Sequence, residues 1–332
     1  GSNGTININN TGVKMADGTN EAPTTGVVEF NNTGKNNTVN LYNGTLKLGH
    51  YEGGTINVNG AEQQVAESWG NFDETVTLQL NGGTLDTLDG AIRDYTVGTL
   101  NGRGSKLALD LNFADDGTAT ADNFTISGGN ATLNFSDINI TGDVPTTSGA
   151  VEIVKGTNTG ITLGKYAVFT NDASLTFAQD TANKGFLAYT YNEGQGGLKA
   201  AVDYALGNRQ YNMNADETIT QDLGTMGGDG STLTINGNGH DINGNGHEGI
   251  TVNNGQTLNI NHVGNSTDEN SKGFNGFSSS NGGAIYNRST ATITDSTFTG
   301  NSANYYGGAI VNDGDTATIT DSTFTGNEAE YG

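Results

Sequence analysis

The eleven residues from Ala291 to Asn301, ATITDSTFTGN, return unchanged from Ala317 to Asn327, 26 positions further on. A second motif travels with the first. Gly282-Gly283-Ala284-Ile285-Tyr286-Asn287 returns 25 positions later as Gly307-Gly308-Ala309-Ile310-Val311-Asn312. The odd residue falls between the motifs, where Asn287-Arg288-Ser289-Thr290 becomes Asn312-Asp313-Gly314-Asp315-Thr316. A stacked-coil fold varies in this way, lengthening a turn while its strands keep their pattern. Thr232-Leu233-Thr234-Ile235 and Thr257-Leu258-Asn259-Ile260 carry the pattern towards the N-terminus, again 25 apart. Between Ile260 and Ile293 the spacing widens to 33, so a loop of about eight residues leaves the coil around Asn265 to Phe277.

Apolar and small polar residues alternate within each unit. Ala291, Ile293 and Phe298 read as inward, and Thr292, Thr294, Thr297 and Thr299 as outward, which is the signature of strands. Short strands joined by Gly, Asn and Asp corners at this period predict an all-β chain folded as a parallel β-helix, or β-solenoid. One coil cannot bury its own inner face, and stacking at about 4.8 Å per coil buries it. Ile235, Ile260, Ile293 and Ile319 then form one inner column, Phe298 stacks on Phe324, and Asn301 and Asn327 form a side-chain ladder.

This arrangement reconciles an awkward composition. Leu, Ile, Val and Phe make up just under a fifth of the 332 residues and the net charge is -23, a pairing typical of disordered chains. Yet only 15% of residues are charged, and Gly (52) and Asn (45) abound while Pro (2) is scarce. Gly and Asn both tolerate the left-handed backbone of tight corners. A continuous inner column needs few large side chains per coil. The acidity is not required by such a fold, and we assign it to solubility or to unidentified cations. It argues against nucleic acid and anionic membrane surfaces as partners. The chain has no Cys, which excludes thiol chemistry and Cys-based metal sites. No apolar run approaches the roughly 18 residues of a membrane span. The opening Gly1-Ser2 and the break of the pattern at Tyr331-Gly332 suggest a piece of a longer protein.

Residues 1–205 show the same chemistry without a clean period. Alternations such as Val76-Thr77-Leu78-Gln79-Leu80 and Leu107-Ala108-Leu109-Asp110-Leu111 read as degenerate coils, and only Ala61 to Trp69 looks helical. From about Val151 strands lengthen and gain aromatics, as in Phe186-Leu187-Ala188-Tyr189-Thr190-Tyr191, which predicts antiparallel capping hairpins around 150–205. The expected organisation is one β-helical unit ending near residue 205 and a second over 206–332.

The pairing of Gly-Gly-Ala-Ile with Phe-x-x-Asn (Phe298-Thr-Gly-Asn301, Phe324-Thr-Gly-Asn327) resembles the repeats of chlamydial polymorphic membrane proteins. It is also similar to the wider class of bacterial autotransporter and adhesin passengers. The strict motifs cover about 282–332. This resemblance implies a right-handed parallel β-helix carried outside the cell on an outer-membrane anchor, acting as a stalk that displays loops for adhesion. The implied partners are a host surface protein or glycan, or other copies of the rod.

Chemical sites are few. The protruding loop, with Lys272, Phe274 and Phe277, is a candidate binding spot for sugar or protein, although the two rings would equally pin the loop to its coil. A carbohydrate-active β-helix enzyme is the alternative function, but region 206–332 offers only Arg209, Lys272 and Arg288 as basic residues. Asp295 and Asp321 are equivalent positions on neighbouring coils and read as turn residues. His50, His240, His247 and His262 read as surface residues, so no catalytic residue and no metal ligand is assigned. No cofactor is expected, with calcium the one ion left open: at Asp110-Leu111-Asn112 with Asp115-Asp116-Gly117, and at Gly227-Gly228-Asp229-Gly230.

Overall fold

A computed structural model describes strands Thr5–Asn9, Val28–Asn32, Thr38–Tyr51, Gly54–Asn59 and Gln63–Ala66, and then residues 76–331 except 143, 156–159, 205 and 265–271. The protein is nearly all β, a solenoid of about nine turns with parallel sheets. Its contacts divide it into two compact units, residues 1–165 with 177–190, and residues 166–176 with 191–332. Residues 166–176 and 191–205, which the sequence pattern groups with the first unit, thus belong to the second.

In the first unit, irregular coils still stack in register. Leu78 pairs with Leu100, and Leu85, Leu107 and Phe135 form one buried column. Tyr95 and Phe124 stack with ring centroids 5.3 Å apart, and Val154 continues their row. Gly149–Glu152 pairs antiparallel with Phe186–Tyr189, in the region where capping strands are expected. The segment that looks helpful to a helix by composition, Ala61 to Trp69, contains strand Gln63–Ala66 instead. It is paired on both edges by parallel neighbours, and tertiary pairing overrides a weak local preference.

Two buried carboxylates hold a corner of this unit. Asp110 accepts the backbone N–H groups of Asp89 (2.8 Å) and Gly90 (2.9 Å) and the Asn139 amide. Asp122 accepts the Thr87 hydroxyl (2.7 Å) and the N–H groups of Arg93 (2.9 Å) and Asp110 (3.0 Å). Burial pushes the Asp122 carboxyl up to about 6 from the ordinary 3.8, against the pull of these donors. Between those values the fold holds a proton that the unfolded chain has released. Its contribution to stability is therefore full below pH 3.8 and falls as pH rises towards 6. The protection of the Arg93 and Asp110 amides, taken relative to the intrinsic exchange rate at each pH, is expected to fall across that window, and the Asp122→Asn variant to lose this pH dependence. An unchanged slope in the variant would exclude Asp122 as its source.

In the second unit the expected column is in place. Asn208–Asn212, Thr232–Asn236, Thr257–Asn261, Thr290–Thr294 and Thr316–Thr320 lie parallel in that order, with Tyr211, Ile235, Ile260, Ile293 and Ile319 in register. A second sheet aligns Ile242, Phe274, Phe298 and Phe324, and a third aligns Ile250, Ile285 and Ile310. We number the coils 1 to 5 from Asn208 to Tyr331. Ile319 and Phe324 lie on coil 5 and are 45% and 43% exposed, whereas their counterparts inside the stack are buried. Thr297, which the alternation places outside, is also buried.

The first coil is covered by α1 (Gly197–Asp203), the one helix among the described residues. Its Leu198, Ala201 and Val202 share one buried apolar cluster with Ala167, Phe169, Tyr211, Met213, Leu223 and Met226. Glu217, on coil 1, accepts the Leu198 N–H at 3.1 Å and the Tyr211 hydroxyl, and so secures the start of the helix. At its other end Arg209, 1% exposed, donates to the carbonyls of Val202 (3.5 Å) and Gly227 (3.1 Å).

The glycine motif has a direct cause. Gly282 adopts φ 62° and Gly307 φ 59°, where side chains are strained. A Cβ on Gly283 would stand 2.1 Å from the Gly308 carbonyl oxygen, so the second glycine is required by close coil contact.

Candidate functional site

The sequence-predicted loop divides into parts with different fates. Residues 265–271 lie outside the described residues. Lys272 is exposed, and its N–H donates to the Asp241 carboxylate at 3.1 Å. Phe274 and Phe277 are not on display: they are 0% and 1% exposed. The Phe274 ring stacks 5.2 Å from that of Phe298, and Phe277 packs beside it at 5.9 Å. These two rings pin the returning chain to the core and cannot form an exposed binding spot. Asn301 does form the expected ladder. Its amide donates to Asn327 Oδ1 (2.9 Å) and the Phe274 carbonyl (2.9 Å), while its oxygen accepts the Phe277 N–H (3.0 Å).

Several groups of the candidate ion sites are engaged within the chain. The Gly227 and Gly228 carbonyls accept the Ser231 hydroxyl, both at 2.8 Å, and Gln256 donates to Gly228 at 2.8 Å. Asp110 is engaged as described above. Among the described residues no three His, Asp or Glu side chains gather to hold a metal ion. Asp295 and Asp321 adopt φ 47° and 50°, the left-handed corner conformation that a turn role predicts. The three histidines of this unit each face a carboxylate one coil away: His240 with Asp216 (3.3 Å), His247 with Asp222 (3.2 Å) and His262 with Asp295 (2.5 Å).

Part of the acidity thereby gains a structural reason. Asp216 accepts the Asp241 N–H, Asp222 the Glu248 N–H (each at 3.0 Å), and Asp241 the Gly273 N–H (2.8 Å). Carboxylates on one coil thus satisfy corner amides on the next. The Glu248 N–H, followed by His247, holds the Asp222 carboxyl below its usual range.

The site that the sequence pattern does not reveal is a step in the coil cross-section. Ile242, Phe274 and Phe298 are equivalent, as are Ile250, Ile285 and Ile310. The run from Ile242 to Ile250 is three residues shorter than that from Phe274 to Ile285. The longer coils use the extra length for an additional strand, Ser278–Asn281, Ser302–Tyr306 and Glu328–Tyr331 in coils 3, 4 and 5. Coil 2 has no counterpart, so coil 3 overhangs it as a shelf. A groove of about 170 Å³ lies in the angle, between Glu248 to Thr251 below and Ser279 to Gly282 above, with Tyr286 at the side. Comparing run lengths between neighbouring coils would have exposed this step.

Gly249 is required by close coil contact, since a Cβ there would meet the Ala284 carbonyl oxygen at 1.9 Å. Tyr286 is fixed: its hydroxyl donates to Asp313 at 3.0 Å, and the Arg288 guanidinium lies 4.5 Å from its ring centroid. Ser279 is turned inward, donating to the Asn281 carbonyl at 2.7 Å. Glu248 and Ser280 are exposed and Asn281 is half-buried, and all three line the groove. The shelf thus offers a carboxylate, a hydroxyl, a carboxamide and a fixed aromatic ring, a set suited to binding hydroxyl, amide or ammonium groups.

The fold and this surface place the protein among β-solenoids that present a polar side face. Over 188 residues, 55% of its length, the chain is 29% identical to an outer membrane protein A of Rickettsia rickettsii. That stretch covers only 8% of the rickettsial protein. No family model and no solved structure matches the chain. No helix among the described residues is long and apolar enough to cross a membrane.

Proposed function

We propose that this chain is part of the passenger of a bacterial surface protein, held outside the outer membrane, and that it serves adhesion. The solenoid acts as a rigid stalk, and the shelf on coils 2 and 3 is its contact face. The reading rests on one observation above all: Glu248, Ser280 and Asn281 line a groove at the step between coils 2 and 3. The similarity to an outer membrane protein supports the location. The partner is a host surface protein or glycan, or another copy of the rod. Its individual contacts are weak, and multivalent display makes them effective.

Beads coated with the protein are expected to bind cultured host cells. The combined Glu248→Gln, Ser280→Ala and Asn281→Ala variant should lose about tenfold in binding, the equivalent of one or two hydrogen bonds. Retention of full binding by a folded variant would remove the shelf from the account. Absence of any binding by the parent protein would remove the adhesive function.

A further inference from the structure

The extra strands of coils 3, 4 and 5 differ in what they show to solvent. Ser278–Asn281 holds only Ser and Asn, whereas Ser302–Tyr306 ends on Tyr305-Tyr306 and Glu328–Tyr331 on Tyr331. Asn281, Tyr306 and Tyr331 are in register on successive coils. The Tyr306 and Tyr331 ring centroids lie 6.1 Å apart, and Tyr305, Tyr306 and Tyr331 are 52%, 58% and 52% exposed. Coil packing does not call for these rings. Coil 3 builds the same sheet with Asn281 at the equivalent place, and Tyr306 stays exposed although coils 3 and 5 lie on either side of it. A single exposed ring needs no explanation, but neighbouring rings on adjacent rungs mark a contact surface.

We infer that Tyr305, Tyr306 and Tyr331 form a stacking platform for a neutral oligosaccharide lying along coils 4 and 5. This extends the adhesive reading to a surface beside the shelf and names the chemistry of its partner; the binding itself does not require the shelf to be a contact face. The surroundings select the ligand. The sheet is three strands wide and its strands are four or five residues long, a patch of about 10 by 15 Å. A protein interface buries about 800 Å² per partner around an apolar centre, far more than this patch offers. A second copy of the chain would bring a like charge of -23. The three strands carry Glu328 and Glu330 and no Lys or Arg, so acidic sugars are repelled as well. A neutral sugar meets every condition. The C–H groups on its face are drawn to the negative face of an aromatic ring. The hydroxyls on its edge find donors and acceptors in the exposed Asn304, Glu328 and Glu330.

Cellopentaose, N-acetylchitopentaose and mannopentaose are titrated separately against the isotopically labelled protein while backbone amide shifts are followed. Sialyllactose and a heparin pentasaccharide serve as the acidic counterparts. At least one neutral chain is expected to bind with a Kd on the order of 1 mM and to shift the amides of Tyr305, Tyr306 and Tyr331. The acidic sugars should leave these amides unmoved. Tyr306→Ala should weaken the binding at least about tenfold, whereas Tyr306→Phe keeps the ring and should weaken it less than about threefold. Tyr306 is exposed, so the alanine variant keeps the fold, which unchanged amide shifts in Thr290–Thr294 verify. No shift with any neutral chain at about 10 mM, ten times the expected Kd, would overturn the platform. Full binding by Tyr306→Ala, or equal binding of an acidic sugar, would also overturn it. Loss of bead adhesion in Tyr306→Ala without sugar binding would make this surface a protein contact instead. Loss of bead adhesion in the combined shelf variant, with no sugar bound by the parent protein, removes the platform and leaves the adhesive reading standing. Sugar binding by a protein whose beads do not adhere to cells does the reverse.

Discussion

Replacing Phe298 with alanine is expected to cost the second unit about 4 kcal/mol. Phe298 is 0% exposed, with its ring stacked between Phe274 at 5.2 Å and Phe324 at 5.0 Å, nearly parallel to both. Removal leaves a ring-sized cavity and two aromatic contacts unmade, each worth about 1 kcal/mol beyond its buried area. In a stacked-coil fold each coil depends mainly on its neighbours. The loss is therefore directional: amide protection in coils 4 and 5 should collapse, while coils 1 and 2 keep theirs. Phe324→Ala removes the same side chain from a position 43% exposed and should cost less than half as much. Denaturant melts combined with hydrogen exchange read both effects. Equal costs for the two variants would mean that Phe298 is not held between two rings.

The second large effect is expected from the smallest change, Gly283→Ala. The added Cβ would lie 2.1 Å from the Gly308 carbonyl oxygen and 2.7 Å from that of Ser302. Both neighbours are backbone, and both belong to coil 4, so relief requires prising two coils apart. A loss of at least about 3 kcal/mol follows, at the upper end for overpacking because no flexible side chain can yield. Gly300→Ala is the informative companion. Nothing lies within 4 Å of its Cβ position, and the strain there comes only from its φ of 62°. It should cost about 1 kcal/mol. A melt that ranks the two variants in the opposite order would show that coil contact does not explain the paired glycines.

Repetition decided what could be read in advance. Ile235, Ile260, Ile293 and Ile319 could be aligned because each repeat supplies the same residue at the same place, and register follows once one strand is placed. Phe274 and Phe277 stand where the period is broken, so nothing in the pattern said that the chain had already returned to the core. Helix α1 was illegible for another reason. It has seven residues and no side-chain cap of its own, and depends on buried contacts with Tyr166–Phe169 and coil 1 and on the Glu217 carboxylate. The shelf is a difference between two coils, visible only when their lengths are compared. The sequence pattern assigns the acidic residues to solubility or to unidentified cations. Several of them instead carry the hydrogen bonds of corners, such as Asp216, Asp222 and Asp241.

The central claim is that equivalent residues of successive repeats stack directly on one another. Nuclear Overhauser contacts between selectively ring-labelled phenylalanines test it most directly. The account predicts an unbroken path from Phe274 to Phe298 to Phe324, at ring separations of 5.2 and 5.0 Å, with no direct contact between Phe274 and Phe324. Contacts from Phe298 confined to residues near it in sequence, with neither ring of the adjacent coils in reach, would contradict it.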